Sequence, residues 1–434
     1  MNKRNLIISP LPFFLITIFL LSACSSTSNK KSKEKSYQYA SMQDGILHLD
    51  IDKARKDSAI LNLSQICDSL IYIPLETKKE CLLSNRLRRL CIDGDDIFMQ
   101  VRVSAYHFKT SGKFVCQLGK KGRGPGEYTC TGLTVNPDKK RVYAYANFKH
   151  NVFEYDYDGN LISDKIKLSS GKDILYNPYT KSMFYTSLYN FSLEMSKDTE
   201  YNVLSEYDLE GELKSNIKSK YFPNQFFLGN KGGNIFINGA STYLTDNALC
   251  FQEVSSDTVF RKTVDAIKPY IVLNNKDFKK PLNSETCVAG KKSSVWYFLK
   301  RDKEYPCRVC GESSRYVFVD SYSDPAYVYD RQERKLSCVE PYVEYSEGEK
   351  PGEKVAQKYV YHNDIDGLNH IVYTSVVDNK YLLSFISAVD LLESLENLKE
   401  SKTSNTKYIK HLEKIAKGLT EESNPVLMLA RLKK

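Results

Sequence analysis

The sequence predicts an all-β fold, a six-bladed β-propeller with a C-terminal helical insertion before its closing strand. From residue 46 onward, short runs of β-branched and aromatic residues alternate with turns rich in glycine, proline and aspartate. A pair of such runs recurs roughly every 55 residues, close to the ~40–50 residues of a propeller blade. Near residue 388 the alternation changes to helical spacing, and a strand pattern returns before the end of the chain.

The first 23 residues predict a lipoprotein signal peptide. Lys3 and Arg4 precede a mostly apolar run, residues 6–20, and residues 21–24 (Leu-Ser-Ala-Cys) place a small residue before a cysteine. The run is shorter than the ~20 apolar residues that span a bilayer, which favours cleavage before Cys24 over a retained transmembrane helix. The motif resembles the lipobox of bacterial lipoprotein precursors. That resemblance implies diacylglycerol on the Cys24 thiol and a further acyl chain, such as palmitate, on its amine.

Residues 24–45 predict a flexible tether between the lipid and the folded domain. Serine and threonine are followed by a lysine-rich tract, residues 30–35, which suits anionic headgroups or a solvated linker extended by its own charge. In well-studied sorting systems an Asp after the lipidated cysteine retains a lipoprotein at the inner membrane, and here Ser25 follows Cys24. We therefore expect an anchor in the outer membrane facing the periplasm, with exposure at the cell surface left open.

The charge distribution argues against a nucleic-acid partner. The 434 residues include 62 Lys and Arg against 53 Asp and Glu, a formal net charge of +9. Nucleic-acid binders concentrate basic residues on one face or tract, whereas outside residues 30–35 the basic residues are scattered among the acidic ones. The expected partners are the membrane, through the lipid anchor, and a glycan, a peptide or an envelope protein.

Six apolar anchors mark one strand in each predicted blade. A strand of the pattern Tyr/Phe-x-Tyr/Phe-Asp and a glycine turn follow several anchors, at Gly112, Gly159 and Gly211. The interval between the fourth and fifth anchors is overlong, so the blade boundaries between residues 237 and 315 stay open. The anchors are Ile97-Phe98, Val142-Tyr143, Met183-Phe184, Ile235-Phe236, Tyr316-Val317-Phe318 and Ile371-Val372-Tyr373.

A glycine-rich segment, residues 119–128, follows the strand predicted at residues 113–118. It lacks the Gly-Lys-Ser/Thr of a Walker A loop and opens no helix, whereas glycines with positive φ and a stiff Pro125 suit a connection between blades. The segment resembles NHL-type propeller repeats. With residues 73–77 (Ile-Pro-Leu-Glu-Thr), the chain from about residue 46 to residue 434 resembles the six-bladed β-propeller lipoproteins of Gram-negative gut bacteria. The resemblance implies the fold and assigns no activity.

Residues 388–421 interrupt the strand pattern with two predicted amphipathic helices. We expect them to cover the edge of the last blade; docking of a partner is the alternative. The final run, residues 426–432, is expected to close the ring by pairing with an N-terminal strand near residues 70–75, because that pairing leaves no open edge. The apolar positions at helical spacing are Val389, Leu392, Leu395, Leu398, Tyr408, Leu412, Ile415 and Leu419.

The chain has 11 cysteines. Apart from Cys24, most lie in apolar strand-like runs, as Cys91 and Cys250 do, and are expected as small buried hydrophobes, although an oxidising periplasm permits some disulfides. Cys307 and Cys310 have the spacing of a redox motif or of half a zinc site, yet neither a helix N-terminus nor two further ligands is evident. We expect a local bridge or two unrelated thiols there, and no metal or cofactor.

The candidate ligand-binding residues are histidines and cations on predicted loops. His107 and His150 fall at comparable places in successive blades, with Arg102 and Lys149 nearby, and such loops line the face or the channel mouth of a propeller. Arg123 joins them because the cations of the glycine-rich segment suit an anion. Surface histidines without a role are the alternative. The chain has no HExxH and no GxSxG motif, so no catalytic residue is assigned.

The sequence thus predicts a lipid-anchored propeller at the cell envelope that acts as a binding or scaffold module for a glycan, a peptide or a protein partner. The alternative is a propeller lyase or hydrolase with its site at the channel mouth. An enzyme would need His, Asp or Glu side chains that converge on one concave site. No such set stands out in the sequence, which favours the non-enzymatic interpretation.

Overall fold

Antiparallel sheets arranged as the six blades of a β-propeller contain most of the strands. The computed structural model describes residues 36–124, 127–168, 171–191, 202–219, 235–238, 240–245, 248–253, 256–275, 307–321, 325–347, 354–368, 373–400 and 406–434. The predicted signal peptide, Cys24 and the tether up to residue 35 lie outside these ranges. Within them, every helix is too short or too polar to cross a membrane.

Four strands and two short helices precede the first blade: β1 (Ala40–Gln43), β2 (Ile46–Asp50), α1 (Ile51–Ala54), β3 (Ser58–Ala59), α2 (Leu63–Ile66) and β4 (Cys67–Pro74). Blade one contains β5 (Leu87–Asp93), β6 (Asp96–Val101), β7 (Ser104–Lys109) and β8 (Phe114–Leu118). Blade two contains β9 (Gly132–Asn136), β10 (Arg141–Ala146), β11 (Asn151–Asp156) and β12 (Leu161–Lys167). Blade three contains β13 (Gly171–Asn177), β14 (Ser182–Phe191), β15 (Asn202–Tyr207) and β16 (Leu213–Lys218), and β17 (Ile235–Asn238) pairs with the end of β14.

Blade four contains β18 (Ala240–Leu244), β19 (Leu249–Glu253), β20 (Thr258–Lys262) and β21 (Ile267–Asn274). Blade five contains β22 (Cys307–Glu312), β23 (Tyr316–Ser321), β24 (Ala326–Asp330) and β25 (Lys335–Val339). A hairpin of β26 (Tyr342–Glu347) and β27 (Lys354–Tyr359) leads to blade six. Blade six begins with β28 (Tyr373–Val377) and β29 (Tyr381–Ile386), continues through α3 (Ala388–Glu400) and α4 (Thr406–Ala416), and ends with β30 (Val426–Leu432).

The ring closes by pairing the two ends of the folded chain. β30 is antiparallel to both β29 and β4, so blade six has the order β28-β29-β30-β4. The register aligns Val426 with Pro74 and Ala430 with Leu70. The closure expected from the sequence is confirmed, because β4 supplies the outer strand that the C-terminal segment lacks.

The N-terminal strands extend two other blades. β2 pairs in parallel with β21 of blade four and β1 covers its outer edge, while β3 pairs in parallel with β25 of blade five. Tyr37–Lys434 forms a single compact unit. The tether predicted to run to residue 45 is therefore too long, because residues 40–43 already pair within a sheet.

Four of the six sequence anchors lie on the second strand of a blade, and the other two do not. Ile235-Phe236 belongs to β17, which extends blade three, and the second strand of blade four is β19. Tyr373 begins β28, the first strand of blade six, whereas Ile371 and Val372 lie outside the described ranges. Short apolar runs occur in first, second and supplementary strands alike, so such a run identifies a strand without its place in a blade.

The helical insertion packs on the ring as expected. Leu391 and Leu395 of α3 and Leu412 of α4 are buried in one cluster with Met428 of β30. The same cluster contains Tyr361, from the segment between blades five and six. The two helices thus cover blade six and the preceding connection.

No disulfide joins any two of the nine cysteines within the described ranges, and Cys307 and Cys310 are therefore not bridged to each other. Cys24 and Cys287 lie outside those ranges. Cys307 is buried in the core between blades four and five, and Cys310 lies beside the central channel. Of the two alternatives for this pair, the structure shows unrelated thiols.

The two faces of the propeller differ in what they display. Pro137, Pro178, Thr245 and Asn379 follow the first strands of four different blades and all line one cavity, so these strands end at one face. We call it the hairpin face, because it presents the turns between first and second strands. The opposite crossover face presents the connections between blades and between second and third strands, including α3 and α4.

Candidate functional site

Four of the five predicted ligand-binding residues lie on the crossover face. Arg102 occupies the turn between β6 and β7, Lys149 and His150 lie between β10 and β11, and Arg123 lies between blades one and two. Arg102, Arg123 and His150 are exposed. None of these four residues lines the central cavity, whose mouth is at the hairpin face.

Lys149 stabilises the glycine-rich segment, residues 119–128, through two hydrogen bonds. Its Nζ donates hydrogen bonds to the carbonyl oxygens of Gly124 and Glu127, at 3.0 and 2.6 Å. The Glu127 carboxylate accepts from the Gly124 N–H at 3.0 Å, so the segment folds back on itself. Gly119 has φ +69°, and a Cβ there would lie 2.4 Å from the Tyr128 ring. The segment joins β8 to β9, as predicted for a connection between blades.

His107 is a core residue and does not lie on a loop, which corrects the sequence-based expectation. It lies within β7 and is 1% exposed. Nε2 lies 2.6 Å from Asp96 Oδ1, Nδ1 lies 2.7 Å from the Tyr157 carbonyl oxygen, and the ring stacks on Phe98. Burial lowers the pKa of His107, against the opposing effect of Asp96. The imidazole joins blades one and two and is not accessible to a ligand.

The central channel contains a cavity of about 340 Å³. First strands from all six blades line it, so it lies on the axis of the ring. Its wall combines apolar residues, such as Leu90 and Val135, with polar ones, such as Arg89, Thr134 and Asp378.

A second, polar pocket of about 220 Å³ adjoins the mouth of the channel, and we call it the mouth pocket. It shares Thr245 and Asn379 with the channel cavity. Blades four and five supply most of its wall. Its residues are Thr245, Arg261, Tyr270, Glu312, Ser313, Ser314, Arg331 and Asn379.

A hydrogen-bonded triad forms the floor of the mouth pocket. The Tyr270 hydroxyl donates to Glu312 Oε2 at 3.0 Å and accepts from Arg331 Nη2 at 2.8 Å. Arg331 Nη2 also donates to Glu312 Oε2. Glu312 is the most deeply buried of the three, with 5% of its side chain exposed. The triad holds the Glu312 carboxylate at the end of β22 and the Arg331 guanidinium directly after the end of β24.

Arg261 lies beside this triad on β20. Its guanidinium stacks over the Tyr270 ring, 4.3 Å from the centroid, and Nη2 donates to Thr245 Oγ1 at 3.2 Å. Two buried polar atoms of the pocket, Arg261 Nε and Glu312 Oε1, have no hydrogen-bond partner among the described residues. A buried polar atom without a partner costs about 1–3 kcal/mol, a cost that a hydrogen bond with a water molecule or with a polar ligand would remove.

The electrostatics of the pocket suit binding better than proton transfer. Burial raises the pKa of Tyr270 to about 12, and the Glu312 charge adds to the shift. Burial lowers the pKa of Arg331, but the attraction of Glu312 and Tyr270 outweighs it and the net direction is upward. The Tyr270 phenol therefore stays protonated as a donor and Arg331 stays charged. Within the ranges that the structure describes, no group of three or more His, Cys, Asp or Glu is placed to hold a metal ion.

The sequence pattern did not identify Arg261, Tyr270, Glu312 and Arg331. They belong to two blades and are brought together only by the ring, and three of them fall in the interval whose blade boundaries stayed open. No local signal marks them, because Arg261 is followed by Lys262 and Glu312 by two serines, a pattern that is ordinary at the end of a strand.

The comparisons with known proteins support the fold and assign no activity. A family profile described as "Domain of unknown function (DUF4934)" matches residues 47–431. A Bacteroides fragilis protein described as exported has 17% sequence identity and a TM-score of 0.58, over 87% of this chain and 98% of that chain. A member of the DUF4221 family from Bacteroides vulgatus has 12% identity and a TM-score of 0.43, over 85% and 98%. No protein with a curated description matches the sequence.

Proposed function

Because the chain belongs to the DUF4934 family, a domain of unknown function, we propose a role from its own geometry. The protein is a lipid-anchored, extracytoplasmic propeller that binds a small polar ligand, or a polar group of a larger glycan, peptide or envelope protein, in the mouth pocket. The observation behind this proposal is the pair of buried polar atoms, Arg261 Nε and Glu312 Oε1, that lack partners at a cavity on the channel mouth.

The location rests on the N-terminal sequence. A signal peptide that ends in Cys24 would direct the chain across the inner membrane and attach it to lipid, and one structural neighbour is described as exported. The outer membrane, with the propeller in the periplasm, follows from Ser25 after the lipidated cysteine.

Binding can be tested with a variant that fills the mouth pocket. Ser314 is an exposed residue of the pocket wall, so Ser314→Trp should block the pocket without disturbing the core. Ser111→Trp is the matched control, since Ser111 is an exposed turn residue of blade one that lines neither cavity. Each protein is applied to an array of acidic oligosaccharides, neutral oligosaccharides and peptides. We expect the wild type and Ser111→Trp to retain the same ligands and Ser314→Trp to lose them. Unchanged retention by Ser314→Trp, or no retained ligand at all, overturns the proposal.

A further inference from the structure

We infer that the mouth pocket recognises a sugar acid, a ligand that has both a carboxylate and hydroxyl groups. The inference rests on the proposed function and names the ligand class for the same site. In the proposed complex, Arg261 pairs with the carboxylate of the ligand, and Glu312 Oε1 accepts a hydrogen bond from one of its hydroxyl groups.

The charges of the pocket favour an anion. Arg331 is balanced by Glu312, to which it is hydrogen-bonded. Arg261 contacts the Thr245 hydroxyl, the Tyr270 ring and the Cys250 thiol, and no carboxylate of the described residues pairs with it. Among the described residues, the pocket therefore has one positive charge, on a planar guanidinium, without a carboxylate partner. A guanidinium binds a carboxylate through two parallel hydrogen bonds, which makes a carboxylate the favoured anion.

The remaining polar groups favour hydroxyls on the same ligand. Glu312 Oε1 is buried and accepts from no described donor, so a ligand hydroxyl would satisfy it. An ammonium group is a poorer match, because Arg331 already neutralises this carboxylate. Ser313, Ser314 and Asn379 add small polar side chains to the wall. A set of donors and acceptors of this kind suits the several hydroxyls of a sugar.

The size of the pocket and its rim also fit a sugar residue. Its volume of about 220 Å³ is below the ~300–1,000 Å³ of sites for drug-sized ligands. Tyr179 lies at the rim of the adjoining channel cavity, 38% exposed, and its hydroxyl donates to the Thr245 carbonyl oxygen at 2.8 Å. The exposed part of this ring offers an apolar face for the C–H groups of a second sugar residue.

The test compares galacturonate with galactose, which differ only in the carboxylate at one carbon. Binding of each to the full chain, purified in detergent, is measured by calorimetry for the wild type, Arg261→Gln and Arg261→Lys. Arg123→Gln is the control, because Arg123 is an exposed arginine of the crossover face. Circular dichroism verifies that each variant is folded.

We expect galacturonate to bind the wild type at least about tenfold more tightly than galactose, as one charge-assisted bidentate pair requires. Arg261→Gln should remove this preference, Arg261→Lys should retain part of it, and Arg123→Gln should keep it whole. Equal affinity for the two sugars, or equal losses in Arg261→Gln and Arg123→Gln, overturns the inference. If Ser314→Trp abolishes binding of a neutral glycan or a peptide instead, the sugar-acid inference fails and the proposed function stands. If Ser314→Trp retains every ligand that the wild type retains, both the sugar-acid inference and the proposed function fail.

Discussion

Met428 of the last strand pairs with Tyr72 of β4, and Met428 is fully buried where the two ends of the fold meet. Shortening this side chain should destabilise the whole ring, because blade six is complete only when β4 and β30 are paired. We expect Met428→Ala to lower the free energy of unfolding by about 2–5 kcal/mol, the usual cost of such a truncation in a core. Urea denaturation measures it. Arg431→Ala, in the same strand but exposed, should change stability by no more than about 0.5 kcal/mol, and equal effects would contradict the closure.

Gly112 connects blade one to blade six through a close backbone approach. It has φ +83°, and a Cβ there would lie 2.0 Å from the Pro74 carbonyl oxygen. Gly94 has a similar φ, +58°, with nothing within 4 Å of the corresponding Cβ position. We expect Gly94→Ala to cost about 1–2 kcal/mol from the left-handed backbone alone, and Gly112→Ala to cost clearly more because the Pro74 strand must move. Thermal denaturation of both variants measures the difference. Equal melting temperatures would show that the approach to Pro74 is unimportant.

His107 should make the fold sensitive to mild acid. Burial lowers the pKa of its imidazole below the ordinary 6.5, so the unfolded chain takes up a proton at a higher pH than the folded chain does. Stability is therefore greatest above pH 6.5 and falls as the pH drops below it. In His107→Gln this slope should be shallower between pH 5 and pH 7, although stability at neutral pH is lower because Asp96 loses a partner. Melting temperatures across this range test the expectation, and parallel curves for the two proteins would refute it.

Replacement of Cys24 should separate anchoring from folding. Tyr37–Lys434 forms a compact unit with its own closed ring, and we expect it to fold without the proposed lipid attachment at Cys24. We expect Cys24→Ser to leave the melting temperature of the propeller unchanged and to move the protein out of the membrane fraction. Cell fractionation and palmitate labelling measure the second effect. Retention in the membrane, or loss of folding, would contradict the assignment.

The sequence was most informative where neighbouring strands pair through a short turn, or where the edge strand of a sheet needs a partner. The glycine turns at Gly112 and Gly159 lie between third and fourth strands, as the repeat predicted, because a hairpin depends on residues close in sequence. The pairing of β30 with β4 was also predictable, since an unpaired last strand would leave an exposed edge. The place of β17 was not predictable, because its apolar run, Ile235–Ile237, resembles that of a second strand.

The candidate site could not be predicted from local spacing. Glu312 ends β22 and Arg331 follows β24 in blade five, whereas Arg261 comes from blade four, so only the complete ring brings them together. His107 was predicted to bind a ligand on a loop, but it is buried within a strand. Its neighbours in β7 are apolar, and a histidine within such a strand is as consistent with a buried hydrogen-bonded pair as with a loop.

The most direct test of the central claim is a crystal structure of the protein with galacturonate. The account predicts the sugar in the mouth pocket, with its carboxylate within hydrogen-bonding distance of the Arg261 guanidinium and one hydroxyl donating to Glu312 Oε1. Galacturonate bound only elsewhere, or a mouth pocket that contains only water at saturating sugar, would contradict it.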